Sequence, residues 1–278
     1  MTAHTSTHTL QALASHRWAA LNTRDFAALD PARTVAVLPL GATEQHGPHL
    51  PLSVDTVLVD GVVNAALTHL TATDPVLVLP TQTVGLSTEH TAFAGTLHLS
   101  PQTLIQLWCD LGASVARAGV KKLLMFNAHG GNVGLMDVVA RELRAQYGLI
   151  VYSSSWYNLP LDPAVMDQFS ADEHRFGIHA GDLETSMMLA LSPDHVNMAE
   201  AQNFASTSQD RAKHYAVLGN GKSAKLGWHM QDYNAQGAAG NASVASAAKG
   251  EALVQSAGEQ LALLLKELVA LPLSTVRV

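Results

Sequence analysis

The sequence contains a single cysteine, Cys109, among its 278 residues. One thiol excludes a disulfide framework and a thiolate metal cluster. Charged residues make up only 14% of the chain, and the net charge of -7 is spread without a run of one sign. Neither a nucleic acid nor a membrane surface is therefore expected as a partner. No apolar run approaches the roughly 18 residues that a membrane-spanning helix needs.

Aromatic residues are also scarce, at 5% of the chain, and the N-terminus lacks a basic start followed by an apolar stretch. We therefore expect no secretory signal and a cytoplasmic protein. What the sequence does have is a hydrophobic fraction of 47%, which is enough for a large core, and 14 histidines. Because histidine binds metals and moves protons near neutral pH, histidines that lie close to carboxylates are the first candidates for a functional site.

Apolar runs alternate along the chain with segments whose apolar residues recur at helical spacing. The runs predict strands buried on both faces, at 34–40, 75–79, 122–127 and 149–154. The intervening segments predict helices at 53–70, 100–118, 133–147, 181–191 and 249–271. This alternation predicts a single three-layer α/β/α domain with a mostly parallel sheet over 34–278, preceded by an N-terminal helical segment over 1–33. The long loops at 80–98, 155–180 and 198–245 are expected to carry functional residues.

The densest polar cluster begins where the first predicted strand ends. Glu44 and His46 are two residues apart, so an extended chain points both side chains the same way, and Asp55 follows in the first turn of the next helix. Two carboxylates and an imidazole suit Zn, Mn or Fe. Taken alone, Asp55 could simply complement the helix dipole, and Glu44 could be a solvated loop residue.

Two further clusters follow later elements. His129 lies between the third predicted strand and a Gly-Gly turn, at the same sheet edge as Glu44. His179 and Glu184 flank the start of the helix predicted at 181–191. The structural alternatives are a strand-to-helix turn with Asn132 as its N-cap, and a helix start whose acidic residues complement the dipole.

Together these residues suggest a two-metal hydrolase in which a metal-bound hydroxide attacks a carbonyl. The predicted metal ligands are Glu44, His46, Asp55, His129 and Glu184. Asp55 is the expected bridge, because a carboxylate can span two ions and a neutral imidazole cannot. The predicted catalytic residues are His179, as the general acid, and Glu184.

Other residues are predicted to contact the substrate. Ser87 and Glu89 lie in the loop over 80–98, Trp156 follows the fourth predicted strand, and Arg175 precedes His179. Arg175 supplies a fixed cation for a carboxylate or a carbonyl oxygen. The structural alternatives are that Ser87 and Glu89 only form a turn in the loop, and that Trp156 only packs against its neighbours.

The metal-site motifs resemble those of the creatininase family. The resemblance rests on the stretch from Pro39 to Asp55, on Asn127-Ala-His129-Gly-Gly-Asn132, on His179-Ala-Gly-Asp-Leu-Glu184-Thr-Ser, and on residues 237–242 with 249–251. It implies a layered α/β/α fold, two divalent ions (Zn, Mn or Fe), and a homo-oligomer, often a hexamer. It also implies hydrolysis of a small-molecule amide at a non-peptide C–N bond.

The sequence departs from the creatinine-hydrolysing members of that family at the substrate pocket. Gly130 and Gly131 stand where those enzymes have an aromatic residue and a metal-binding Glu, and Arg175 and Phe176 occupy the stretch where they carry an indole. We therefore expect a creatininase-like amidohydrolase for a cyclic amide, a ureide or a formamide other than creatinine. The alternatives are a peptide- or precursor-trimming hydrolase with the same centre, and an inactive metal-binding subunit.

Overall fold

The fold is built on a sheet of four parallel strands, and the computed structural model describes residues 15–277. The strands are β1 (Val35–Leu40), β2 (Val76–Val78), β3 (Lys122–Asn127) and β4 (Ile150–Ser155). Their order in the sheet is β2-β1-β3-β4. In the register, Leu40 lies beside Asn127 and Asn127 lies beside Ser155, so the three strands end together. All four predicted strands are confirmed to within one or two residues.

Helices connect and cover the strands. They are α1 (Thr23–Ala27), α2 (Val54–Leu67), α3 (Pro101–Arg117), α4 (Val133–Tyr147), α5 (Pro163–Met166), α6 (Ala171–Phe176), α7 (Asp182–Leu191), α8 (Thr207–His214), α9 (Met230–Tyr233) and α10 (Ala247–Ala270). The five predicted helices correspond to α2, α3, α4, α7 and α10. A small antiparallel pair, β5 (Asn203–Phe204) and β6 (Gly240–Asn241), lies in the region predicted as a long loop.

The two faces of the sheet bury different side chains of the same strand, which makes three layers. Val35 and Val37 of β1 belong to a core with α2, α7 and α10, whereas Ala36 and Leu38 belong to a second core with α3 and α4. All six residues of β1 are buried, as expected for a strand covered on both sides. The predicted α/β/α class is confirmed.

The N-terminal helical segment is described only in part. A 3₁₀ turn at Trp18–Ala20 and the short helix α1 lie within it, and residues 1–14 fall outside the described residues. The division at residue 33 stays a prediction. Within 15–277, no helix is long and apolar enough to cross a bilayer.

Helix α10 holds α7 in place through a close backbone approach. A Cβ built on Gly250 of α10 would collide with the carbonyl oxygen of Ser186 in α7. Beside this contact, Lys249 Nζ lies 2.6 Å from both carboxylate oxygens of Asp182 at the start of α7. The glycine and the ion pair therefore set the position from which α7 presents Glu184.

The close approach predicts a strong effect of a single methyl group. Gly250→Ala should lower the free energy of unfolding by about 1–3 kcal/mol, because overpacking must push the two helices apart. Gly134→Ala is the matched control, since a Cβ on Gly134 in α4 meets nothing within 4 Å and alanine is the better helix former by up to about 1 kcal/mol. Chemical denaturation measures both variants, and equal stability of the two would contradict the packing argument.

Candidate metal centre

The centre lies at the carboxyl edge of the sheet, where β1 and β3 end. Glu44 and His46 follow β1, Asp55 opens α2 and His129 follows β3, and all four side chains are buried. His129 Nδ1 lies 3.2 Å from Glu44 Oε1 and 3.7 Å from Asp55 Oδ2. His46 Nε2 lies 3.7 Å from Asp55 Oδ1 and 4.0 Å from Glu184 Oε2. The fold thus brings all five predicted ligands together.

Backbone carbonyls orient three of the imidazoles. His46 Nδ1 lies 3.0 Å from Glu44 O, His129 Nε2 lies 2.8 Å from Leu86 O, and His179 Nε2 lies 2.7 Å from Gln45 O. A ring nitrogen facing a carbonyl must donate its N–H, so the other nitrogen of each ring carries a lone pair in the neutral form. Metal-binding histidines are usually oriented by such a bond. In each case the free nitrogen faces the buried carboxylates.

Two asparagines fix the loops around His129. Asn127 Oδ1 accepts the backbone N–H of His129 at 3.1 Å, and Asn132 Nδ2 donates to Asn127 Oδ1 and to Gly41 O, each at 3.1 Å. Asn132 Oδ1 accepts the N–H of Leu86 at 3.0 Å. Asn132 occupies the N-cap position of α4, as the structural alternative expects, but its side chain makes no cap hydrogen bond. It instead ties together the ends of β1 and β3 and the loop over 80–98.

His90 belongs to the cluster although its sequence position carries no metal spacing. Its Nε2 lies 3.3 Å from Glu44 Oε1, and its Nδ1 accepts from Gln45 Nε2 at 2.7 Å. Glu44, His90 and His179 form one of three groups whose donor atoms lie within 4.8 Å of one another. A short 3₁₀ turn at Thr88–His90 turns the ring inward. The only indication of His90 in the sequence was its position within the loop over 80–98, which was expected to carry functional residues.

His179 and Glu184 lie beside each other at the start of α7. Ala180 between them has a φ of 54°, a strained left-handed conformation for a residue with a side chain. Its N–H donates to Glu184 Oε2 at 2.5 Å. His179 pairs with Ala239 through backbone hydrogen bonds, so the loop at 237–242 supports its position. Their catalytic roles stay predictions.

The electrostatics of the protein favour positive charge at the centre. Burial opposes protonation of His46, but the carboxylates of Asp55, Glu184 and Glu44 outweigh it and raise its pKa to about 9. For His129, burial again opposes protonation, but the carboxylates of Glu44 and Asp55 outweigh it and raise its pKa to about 10. Burial raises the pKa of Glu184 to about 7 against the attraction of His46. The carboxylates thus hold protons on imidazoles where no cation is bound.

The remaining two imidazoles are neutral at physiological pH. Burial lowers the pKa of His90 to about 4, and burial together with His46 and His90 holds the pKa of His179 well below its usual value. Neutral imidazole is the form that binds metals.

Unpartnered buried atoms show that the donor set suits a metal. Glu44 Oε2, His46 Nε2 and Asp55 Oδ2 find no hydrogen-bond partner among residues 15–277. Leaving such atoms dry and unpaired costs roughly 1–3 kcal/mol each. Oxygen and imidazole donors in this arrangement fit Zn, Mn or Fe.

A cavity of about 380 Å³ opens over the cluster. Two of the four predicted substrate contacts, Glu89 and Trp156, line it. The prediction for Ser87 is not supported, because the 3₁₀ turn after it directs Glu89 and His90 to the cavity and leaves Ser87 fully buried. Arg175 also lies outside this cavity, on the exposed side of α6, where its guanidinium stacks on Phe176 at 4.9 Å. Trp228, from the region predicted as a long loop at 198–245, also lines the cavity.

Gly131 is required by close approach. A Cβ there would meet Leu86 O, and would lie 2.5 Å from His129 Nε2 and 2.6 Å from Glu89 Oε1. The carboxylate of Glu89 therefore occupies space beside the position where creatinine-hydrolysing enzymes carry their Glu.

A layered α/β/α fold with buried carboxylates and imidazoles at the strand ends is typical of metal-dependent hydrolases. The profile of the family described as Creatininase: Creatinine amidohydrolase matches residues 19–265, and the chain belongs to this family. The predicted resemblance is confirmed.

Solved structures and a curated relative agree with this assignment. A mutant creatininase described as "Zn-Zn type" has a TM-score of 0.72 and 27% identity, covering 91% of this chain and 97% of that chain. The structure "Creatininase Mn" has a TM-score of 0.69 and 27% identity, covering 88% and 93%. The "Mycofactocin precursor peptide peptidase" of Mycobacterium tuberculosis (strain CDC 1551 / Oshkosh) is 36% identical over 169 residues. That alignment spans 58% of this chain and only 59% of the peptidase.

The curated relative corrects one prediction. We expected an enzyme that acts on non-peptide C–N bonds, and this is contradicted because relatives at up to 36% identity are named as peptidases of a precursor peptide. The misleading signal was the name-giving activity of the family, since nothing in the metal motifs distinguishes a cyclic amide from a peptide bond.

The geometry predicts that Asp55 contributes most to metal binding, because its two oxygens face different imidazoles. Asp55→Ala should weaken metal binding by at least about 100-fold, more than the loss of a group that only orients a ligand. Asp60→Ala is the matched control. Asp60 is a carboxylate of the same helix, but it accepts a hydrogen bond from Thr81 Oγ1 at 2.6 Å and is not one of the predicted ligands. Elemental analysis of the purified proteins measures the effect. Near-full metal content in Asp55→Ala would rule out this role.

Proposed function

We propose that this protein is a metal-dependent hydrolase that cleaves an amide bond of a peptide and trims a precursor peptide. One observation carries the proposal: the cavity over the metal cluster is open on the side of Gly130. A Cβ built on this exposed residue meets nothing within 4 Å. A peptide chain needs such an opening, because the residues beyond the scissile bond must leave the site.

The size of the cavity agrees with a peptide end. At about 380 Å³ it is near the small end of ligand pockets, which suits one or two residues at the metal cluster rather than a long buried segment. The walls formed by Trp156, Tyr157 and Trp228 offer aromatic faces for these residues.

The arrangement of donors supports two ions. Glu44 and His129 lie on the Oδ2 side of Asp55, and His46 and Glu184 lie on its Oδ1 side. This division would let Glu44 and His129 hold one ion and His46 and Glu184 a second, with Asp55 available to both. When bound, divalent ions of this kind activate water at neutral pH and polarise the carbonyl that is attacked.

The chain's own groups move the protons and orient the substrate. Glu184 reaches the cavity, with 18% of its side chain exposed, and its Oε2 is fixed by the N–H of Ala180. His179 Nδ1 faces the cluster while its Nε2–H is held by Gln45 O. We assign the proton relay to His179, whose neutral Nδ1 would accept a proton released by the attacking water and pass it to the leaving nitrogen, with Glu184 as ligand and second proton carrier. A homo-oligomer and a cytoplasmic location stay predictions.

The substrate class can be tested directly. Holoenzyme incubated with a panel of synthetic peptides should release short terminal fragments, detected by mass spectrometry. Chelator treatment should abolish the cleavage, and Zn²⁺ or Mn²⁺ should restore it, since the metal activates the water. Turnover of creatinine, lactams or hydantoins without cleavage of any peptide would overturn the proposal.

The role of His179 gives a second prediction. His179→Asn should keep the metal, because both proposed sites retain their ligands, and should lower kcat by roughly 10²–10⁴-fold. Metal content and kcat are measured on the same preparation. Loss of metal together with activity would make His179 a ligand, and an unchanged kcat would remove it from the mechanism.

A further inference from the structure

A second cavity, of about 830 Å³, adjoins the metal cavity, and His174 and Trp228 form part of both walls. It lies between α6, α8 and the segment over 218–228. A peptide that leaves the metal cluster past Trp228 therefore enters this second cavity. We call it the basic groove because of the side chains described next.

The groove is lined by four cationic side chains and by no carboxylate. The cations are Arg175, Arg211, Lys222 and Lys225. Within residues 15–277, none of the four forms a salt bridge, whereas Lys213 on the same helix as Arg211 pairs with Asp210 at 3.1 Å. In a chain of net charge -7, a cleft of one positive sign concentrates a field that attracts anions.

Both guanidinium groups are held in place by aromatic rings. Arg175 lies 4.9 Å from the ring centroid of Phe176, and Arg211 lies 4.9 Å from that of Tyr233. Arg211 Nη1 also donates to Thr207 Oγ1 at 2.9 Å. An arginine has five N–H donors, so most remain available after these contacts. A fixed guanidinium matches the two oxygens of a carboxylate.

We propose that the basic groove binds carboxylates of the peptide substrate and so selects peptides with an acidic end. This inference rests on the proposed function. The carboxylate comes from one of two sources, the terminal α-carboxylate or the side chains of Asp and Glu near the scissile bond. Both present the same planar anion to Arg175 and Arg211, and the lysines on the rim steer it into the groove.

The test compares probes that differ only in charge. The probes are dansyl-tetra-alanine with a free carboxylate, the same peptide as its C-terminal amide, and an amidated analogue that contains Asp. Fluorescence anisotropy with the holoenzyme gives Kd, and mass spectrometry verifies that each probe stays intact during the reading. We expect the amidated alanine peptide to bind at least about tenfold more weakly than the carboxylate peptide, and added salt to reduce the difference. Tight binding of the Asp analogue identifies side-chain carboxylates as the source, and weak binding identifies the terminal one.

Variants locate the effect in the groove. Arg175→Gln with Arg211→Gln should remove the preference for the carboxylate and leave the Kd of the amide within about twofold. Lys222→Gln with Lys225→Gln provides a second test that leaves the two stacked guanidiniums in place, because both lysines are exposed. Lys213→Gln is the matched control and should change nothing, since Lys213 does not line the groove.

The outcomes separate this inference from the proposed function. A carboxylate preference that the groove variants abolish supports the groove, even where no peptide is cleaved, and that failure of cleavage counts against the proposed function alone. Equal Kd values for the carboxylate and amide peptides in the wild-type enzyme overturn the groove. Displacement of the carboxylate probe by oligothymidylate at lower concentration than by an N-acetylated carboxylate peptide also overturns it, because the groove would then be a nucleic-acid site.

Discussion

The burial of Glu44 and Asp55 at one edge of the sheet is the constraint on which the rest of the site depends. Glu44 is 1% exposed and Asp55 is 2% exposed. A buried carboxylate without a partner costs several kcal/mol of stability or takes up a proton. The imidazoles of His46 and His129 supply the compensating charge in the protein alone, and a divalent cation supplies it more completely. The fold stays compact around this negative centre because β1, β3 and their loops are bonded to one another by Asn127 and Asn132.

The same constraint explains why so much of the site lies outside the ligands themselves. Three backbone carbonyls orient three imidazoles, and each carbonyl belongs to a loop at a strand end, since Glu44 and Gln45 follow β1 and Leu86 follows β2. A displacement of α7 would move Glu184 away from His46. The contact of Gly250 with Ser186 and the ion pair of Lys249 with Asp182 prevent it. The packing of α7 against α10 therefore helps to set the geometry of the candidate metal centre.

Sequence patterns predicted the strands, the main helices and all five proposed ligands, because apolar periodicity and the ends of parallel strands follow from short-range rules. They failed for residues whose side-chain direction depends on the path of a loop. His90, Ser87 and Glu89 lie within four residues of one another, and only the 3₁₀ turn at Thr88–His90 determines which of them faces the candidate metal centre. Arg175 lies outside the metal cavity for a related reason, since the direction of its side chain on the short helix α6 depends on the stacking partner Phe176, and it lines the basic groove instead.

The two glycines after His129 have different physical roles. Gly131 is a packing requirement, because a side chain there would collide with the backbone of Leu86 and crowd Glu89. Gly130 is free of neighbours and instead keeps one wall of the cavity open. An open wall removes the enclosure that would hold a small ring, and under the proposed function recognition comes from surfaces further along the peptide. The basic groove beyond His174 and Trp228 is such a surface. In our proposal its four cations bind the acidic end of the peptide, and this fixes the direction in which the peptide lies.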